Sequence, residues 1–375
     1  MSEIKEIFEK TEKNIALQKR GWFMKALKIG DKIAKVPIIQ GGMGVGVSRS
    51  KLAGAVAREG GIGIISTAQI GYDEAEFEQD PAAANRKAIG KHIRLAKEKA
   101  AGGLVGVNIM VALRDYADHV KAAVEAGADV IISGAGIPAK LPEYVINSDT
   151  KIAPIVSSAK AAKVLLQRWE KKYQRTADFV VIEGPKAGGH LGFSREELQA
   201  IDKMDYDTRI REIICTVREF ADRFQQKIPV IVAGGIFTAK DVKHAVELGA
   251  DGVQVASRFV VTKECDASQA YKDAYIQGTT DEVEIIKSPV GMPGRALHNQ
   301  FLEKVQKGRI PVKKCYGCMR QCNINEIPYC ITDALTKAVR GDVKNGLIFC
   351  GAEVGRIHEM TTVHDLMEEL EVGFE

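Results

Sequence analysis

Glu183, Gly184, Pro185, Lys186, Ala187, Gly188, Gly189 and His190 stand directly behind the apolar run Phe179-Val180-Val181-Ile182. A buried strand that opens into paired glycines and ends in histidine has two chemical uses. The glycines let backbone N–H groups approach a large planar or anionic ligand. The imidazole, held at the mouth of the same pocket, can move a proton near neutral pH. A Gly-rich turn that merely contains histidine is the competing explanation, since such turns commonly follow strands. The choice depends on what the rest of the chain places beside it.

Short apolar runs alternate with longer amphipathic segments along the chain. Strands are predicted at residues 36–40, 62–65, 104–109, 130–133, 152–156, 179–182, 229–233 and 252–256. The pattern predicts helices at 51–58, 82–101, 114–126, 159–173, 208–226 and 239–248. The runs are continuous in Val and Ile, as expected of parallel strands buried on both faces. Helix-to-strand joins repeat a Gly-Ala-Asp signature at Gly127-Ala128-Asp129 and Gly249-Ala250-Asp251, with a weaker copy at Ala177-Asp178. Eight such βα units give an α/β fold, the TIM (β/α)8 barrel, in preference to a doubly wound sheet. Residues 1–30 are expected to form an N-terminal helical segment under the barrel, and 31–302 the barrel itself. Residues 303–375 are expected to form a C-terminal extension, too short to bury a large core alone.

In this fold the chemistry sits at the C-terminal ends of the strands. Those ends carry Gln40-Gly41-Gly42-Met43-Gly44, Asn108, Ser133-Gly134, Ser157-Ser158, Glu183 to His190, Ala233-Gly234-Gly235, and Gln254-Val255-Ala256-Ser257-Arg258. The last two follow strands seven and eight, where barrels of this kind hold phosphate. Gly234 and Gly235 admit close backbone approach, Thr238 can open the next helix, and Gln254 to Ser257 add N–H groups and a hydroxyl. Asn108 both donates and accepts, which suits the edge of a heteroaromatic ring. A phosphate cradle, an amide and a Gly41-Gly42-Met43 surface for a flat ring together suggest flavin mononucleotide (FMN). A sugar phosphate would use the cradle but not that surface.

On these motifs the chain resembles the nitronate monooxygenase family (formerly 2-nitropropane dioxygenase), which shares its fold with the FMN-dependent enoyl-ACP reductase II group. The matching segments are residues 37–43, 106–110, 183–190, 233–236 and 254–259. The resemblance implies that Gly41, Gly42 and Met43 meet the isoalloxazine, and that Asn108 and Glu183 bond its polar edge or ribityl chain. It implies that Gly188 and Gly189 line the tail, and that Gly234, Gly235, Gln254, Val255, Ala256 and Ser257 surround the phosphate. Ala256 and Ser257 stand where relatives often carry Gly and Thr. His190 matches the catalytic histidine. In a nitronate oxidase it abstracts the α-proton of a nitroalkane or positions the nitronate. In the reductase group it assists protonation of an enoyl thioester while NAD(P)H supplies hydride. A flavin- or phosphate-binding barrel without turnover is a third reading, from outside the enzymes.

Of seven cysteines, Cys315, Cys318 and Cys322 are spaced C-x2-C-x3-C and Cys330 follows. That is the ligand count of a [4Fe–4S] cluster or a structural zinc site. The segment is similar to that of iron–sulfur flavoenzymes related to 2,4-dienoyl-CoA reductase, though the fourth spacing is shorter; reduced thiols without metal are the alternative. The odd cysteine count argues against a disulfide framework.

Composition excludes other classes. The 375 residues are 45% hydrophobic and 27% charged, as in ordinary globular proteins. A charge of +4 spread along the chain and 6% aromatic residues give no nucleic-acid surface. No run of about 18 apolar residues predicts a membrane span, and residues 1–20 lack a signal-peptide core. The expected location is the cytoplasm and the expected partner a small-molecule substrate, nitronate or enoyl thioester, with a homodimer left open. His92, His119 and His244 fall in helical stretches and are expected to be surface or structural residues. His298 is near the pocket in sequence only, and His358 and His364 lie in the extension.

Overall fold

The computed structural model describes residues 26–375. It opens on a hairpin: β1 (Leu27–Ile29) pairs antiparallel with β2 (Lys32–Ala34). A closed barrel of parallel strands follows, made of β3 (Ile38–Gln40), β4 (Ile62–Ser66), β5 (Leu104–Met110), β6 (Val130–Gly134), β7 (Lys151–Val156) and β8 (Val180–Glu183). After β9 (Gly189–His190), which lies outside it, β10 (Val230–Ala233) and β11 (Gly252–Val255) complete the barrel, and β11 returns to pair with β3. All eight apolar runs of the sequence are therefore barrel staves, and the fold is a TIM barrel.

Two-sided burial explains the unbroken Val/Ile runs. Ile39, Ile64, Ile132, Phe179, Val181 and Ile231 fill the barrel interior. Their neighbours Ile38, Ile65, Val107, Ile131, Val180 and Val232 face the helical layer. The Gly-Ala-Asp signature has a second use beyond capping. Each aspartate carboxylate accepts an N–H from the first two residues of the preceding strand: Asp129 from Val105 at 2.9 Å, Asp178 from Ile152 at 2.7 Å and Asp251 from Val230 at 3.0 Å. These bonds tie neighbouring staves together at the closed end of the barrel, opposite the chemistry.

The expected N-terminal helical segment needs correction where it is described. Residues 27–34 form a hairpin, turned at Gly30 with φ +59°. Leu27, Ile29 and Ala34 join the interior cluster and plug the barrel floor, while Lys28 is exposed. The alternation Leu27-Lys28-Ile29 around Gly30-Asp31 is a strand signal, and burial of its apolar face fixes it. Residues 1–25 lie outside the described residues.

The helix Ser50–Arg58 rests directly on the sheet, because two glycines make room for its backbone. A Cβ on Gly63 would stand 1.8 Å from the Ala53 carbonyl oxygen, and one on Gly103 would stand 1.9 Å from that of Ala57. Beyond the barrel, β12 (Val283–Lys287) and β13 (Pro293–Leu297) form an antiparallel hairpin, and β9 adds to its edge with His190 opposite Gly294. In the extension, the helix Val363–Glu371 packs beside the helices Ser50–Arg58 and Ala239–Glu247. Among the described residues no helix is long and apolar enough to cross a membrane.

Gly63→Ala is expected to destabilise the protein by about 1–3 kcal/mol or more, since the added methyl meets backbone that cannot swing away. Thermal unfolding of the variant reads this as a lowered midpoint, and an unchanged midpoint contradicts the contact.

Candidate active site

One cavity at the C-terminal rim of the barrel gathers every residue singled out for cofactor binding and proton transfer. Gly41, Gly42 and Met43 reach it from the end of β3, and Asn108 from β5. Glu183 reaches it from β8, and Gly188, Gly189 and His190 from the segment behind. Gly234 and Gly235 follow β10, and Gln254, Val255, Ala256 and Ser257 belong to β11 and its exit.

Close packing at this rim requires glycine. A Cβ on Gly42 would stand 2.4 Å from the Asn108 Cβ. One on Gly188 would stand 2.6 Å from the Cys350 backbone, and one on Gly234 2.8 Å from the Gly184 carbonyl oxygen. Gly234 and Gly235 both have positive φ, +85° and +98°, a backbone that strains other residues and lets successive amides line a concavity. The first loop is held from both ends: Gly41 N–H donates to the Val255 carbonyl at 2.8 Å, and Met43 N–H to Ser48 Oγ at 2.8 Å. Gln40, fully buried, spans the same corner, accepting from Ile64 N–H at 3.1 Å and donating to the Gly41 carbonyl.

Two features of this rim fit a flavin phosphate ester. Gln254 lines the cavity, and its side-chain oxygen is buried with no hydrogen-bond partner. A ligand donor would relieve the cost of about 1–3 kcal/mol that such an atom carries. The second is the glycine-cleared, positive-φ turn after β10, set beside Ala256 and Ser257 at the exit of β11. The first suits a donor such as a ring N–H or a ribityl hydroxyl, and the second an anionic tail.

His190 is held by residues far from it in sequence. Its Nε2 lies 2.7 Å from Ser288 Oγ, which also accepts from Val290 N–H, and the Phe349 ring meets it edge-on at 5.0 Å. Burial depresses its pKa to about 4, so the ring is uncharged at neutral pH. Glu183 shifts the other way. Burial raises its carboxyl to about 7, against the lowering pull of the Gly192 N–H at 2.9 Å and of the Arg295 charge. Arg295 is itself buried, and its guanidinium donates to the Ala187 carbonyl in the Gly-rich segment.

Several candidate polar groups serve structure. Ser133 is buried against Tyr116 and the Ile109 carbonyl, both at 2.9 Å. Ser157 donates to the Gly192 carbonyl at 2.9 Å, and Ser158 caps its helix through Ala161 N–H. Thr238 closes a capping box with Asp241. His92 and His119 are buried, bonded to Arg49 and Ser50 and to Thr67. His298 is outside the cavity, paired with Glu284.

Sequence reasoning missed Ser288, Phe349, Cys350, Gly351 and Glu353. All but Ser288 line the cavity. The extension therefore returns to the site: Gly351 N–H donates to Ser257 Oγ at 3.1 Å, and Glu353 pairs with Lys186 at 2.9 Å. The four clustered cysteines lie elsewhere, around a second, smaller cavity. Among the described residues no three His, Cys, Asp or Glu side chains are arranged to hold a single metal ion, and all seven cysteines are free thiols.

A family model described as nitronate monooxygenase matches residues 26–373. A Mycobacterium tuberculosis protein, (3aS,4S,5R,7aS)-5-hydroxy-7a-methyl-1-oxo-octahydro-1H-indene-4-carboxyl-CoA dehydrogenase, is 27% identical over 272 residues, covering 72% of this chain and 66% of that protein. A probable nitronate monooxygenase of Staphylococcus saprophyticus is 26% identical over 340 residues, covering 83% of this chain and 85% of its own. The solved structure of FabK from Thermotoga maritima superposes with a TM-score of 0.68 at 26% identity, over 91% of this chain and 94% of that one.

The raised Glu183 pKa gives a stability signature. Between the ordinary carboxyl value of 4.5 and about 7 the folded protein holds a proton that the unfolded chain has lost. Stability from this group is therefore fully present below 4.5 and lost as pH rises through 7. His190 acts oppositely over pH 6.5 to 4, so the comparison is with Glu183→Gln. The difference in thermal midpoint, native minus variant, is expected to fall between pH 4.5 and 7 in flavin-free protein; a flat difference contradicts the shift.

Proposed function

We propose that this chain, which belongs to the nitronate monooxygenase family, oxidises alkyl nitronates with FMN bound at the barrel rim and His190 as general base. Members of the family are FMN-dependent oxidoreductases, and this chain is an oxidoreductase of that kind. The observation that carries the reading is His190, bonded to Ser288, lining a rim cavity together with Gly41, Gly42, Gly188, Gly189, Gly234 and Gly235. Gly41, Gly42 and Met43 would lie against the ring, Asn108 and Glu183 at its polar edge or ribityl chain, and Gly188 and Gly189 along the tail. Gly234, Gly235 and Gln254 through Ser257 would hold the phosphate. When bound, FMN supplies the acceptance of electrons from the substrate carbon, and oxygen is the co-substrate.

The protein's own part is the proton. A neutral imidazole has one ring nitrogen with a free lone pair. In the tautomer that donates from Nε2 to Ser288 Oγ, the lone pair is on Nδ1, and Nδ1 would take the α-proton of a neutral nitroalkane. Phe349 packs on the ring edge and Ser288 fixes its orientation, so the imidazole does not search rotamers in each turnover. With a preformed nitronate no proton needs to leave carbon, and His190 only orients the anion.

A second reading has its own support. The Mycobacterium tuberculosis relative is named as a dehydrogenase of a carboxyl-CoA thioester, and the enoyl-ACP reductase II group shares the sequence motifs. There His190 would deliver a proton to the carbon α to a thioester, with NAD(P)H as electron donor. In both readings the histidine handles a proton on carbon next to an electron-withdrawing group. Oxygen uptake with propyl nitronate, set against NAD(P)H oxidation with an enoyl thioester, separates them. Rapid thioester-dependent oxidation without nitronate turnover overturns the first reading.

His190→Gln is expected to lower kcat/KM for a neutral nitroalkane about 10²–10⁴-fold, with preformed nitronate far less affected and the flavin spectrum unchanged. In the native enzyme, kcat/KM for the neutral substrate is expected to persist on acidification until pH nears the His190 value of about 4. Equal loss on both substrates would contradict a base role.

A further inference from the structure

Cys315, Cys318, Cys322 and Cys330 all line one small cavity in the extension, which the flavin reading does not use. The chain between Cys315 and Cys322 forms neither helix nor strand beyond a single bridge residue, and it turns at Gly317, φ +62°. Cys330 sits at the cap of the helix Ile331–Arg340. The other walls are largely apolar, including Pro289, Val312, Ile324 and Ile327. Four cysteines lining one largely apolar cavity, three of them within eight residues of sequence, is not an arrangement that core packing requires.

We propose that this cavity is the seat of a [4Fe–4S] cluster ligated by Cys315, Cys318, Cys322 and Cys330. Four thiolates match its ligand set. A structural zinc ion uses the same four-sulfur set, so the metal and sulfide content of the protein decides between the two. The walls around Cys318 and Cys330 are largely apolar while Cys315 is exposed, and cluster potentials depend on such exposure.

The segment is anchored to the flavin pocket on two sides. Leu113 bridges Met319, Arg114 N–H donates to the Cys318 carbonyl at 3.1 Å, and Arg320 N–H to that of Ala112 at 3.1 Å. These partners begin two residues after β5, which carries Asn108. The helix capped by Cys330 carries Leu335, which lines the flavin cavity. Five residues of helix span about 7.5 Å. The cluster is thus one short helix segment away from the rim cavity. Its existence does not depend on what occupies that cavity.

The test is anaerobic purification of the full chain, followed by incubation with ferrous iron and sulfide under reductant. Analysis should give about four irons and four acid-labile sulfides per chain, and dithionite should produce an electron paramagnetic resonance signal of a reduced cluster. Cys322→Ser should lose most of that iron, while Cys215→Ser, at an exposed cysteine outside the cavity, should keep it. If the cysteine variant does not fold, Mössbauer spectra of the native protein give the cluster type directly. Protein that takes up no iron or sulfide, or that binds one zinc instead, overturns the proposal.

Discussion

Everything at the functional end of this molecule depends on backbone approaching its neighbours more closely than a Cβ would allow. At the rim, Gly42 lies against Asn108, Gly188 against the Cys350 backbone, and Gly234 against the Gly184 carbonyl. Each contact would be closed by one methyl group. With no Cβ in the way, separate loops bring backbone to one cavity, among side chains such as Met43, Ile155, Phe237, Tyr271 and Tyr275 that also line it. Exposed amides of this kind suit a flat ring and an anionic tail, because they offer N–H groups with little conformational entropy left to lose. The staves below supply rigidity, and the aspartates that join them at the far end keep the rim geometry fixed by closure.

Electrostatics then divides the labour within the cavity. Burial acts on His190 and Glu183 alike, yet it moves them in opposite directions, because the charged form of one is the acid and of the other the base. The histidine becomes a neutral acceptor and the glutamate a weak acid near neutrality. Neither shift needs a partner charge as its main cause. The hairpin β12–β13 and the extension produce the burial: Ser288, Arg295 and Phe349 close over the Gly-rich segment from the outside. The same extension carries the four-cysteine segment and stitches it to the loop behind β5. One appended polypeptide thus both completes the first site and frames the second.

The barrel was legible because each stave is a short apolar run between capped helices, a signal local in sequence. So were the rim glycines and His190, since strand ends are where this fold puts chemistry. The floor hairpin was missed: at three residues a strand, its alternation is too short to outweigh the charged segment before it, and burial of Leu27 and Ile29 decides it. The support of His190 was not legible at all. Ser288 and Phe349 lie 98 and 159 residues away, and β9, two residues long, exists only because β13 offers an edge. Nothing local in Phe349-Cys350-Gly351 announces that it lines a pocket. Such contacts come from tertiary packing, and a single sequence carries no periodic trace of them.

The central claim is that the amides after β10 and β11 hold the phosphate of a flavin whose ring lies on Gly41–Met43. Titrating flavin-free protein with FMN and, separately, with riboflavin tests it most directly, because the two ligands share the ring and ribityl chain and differ in the phosphate alone. The account predicts saturable quenching of flavin fluorescence by both, with FMN bound far more tightly and its advantage lost in Gly234→Val. Equal affinity for the two ligands, or no binding of either, would contradict it.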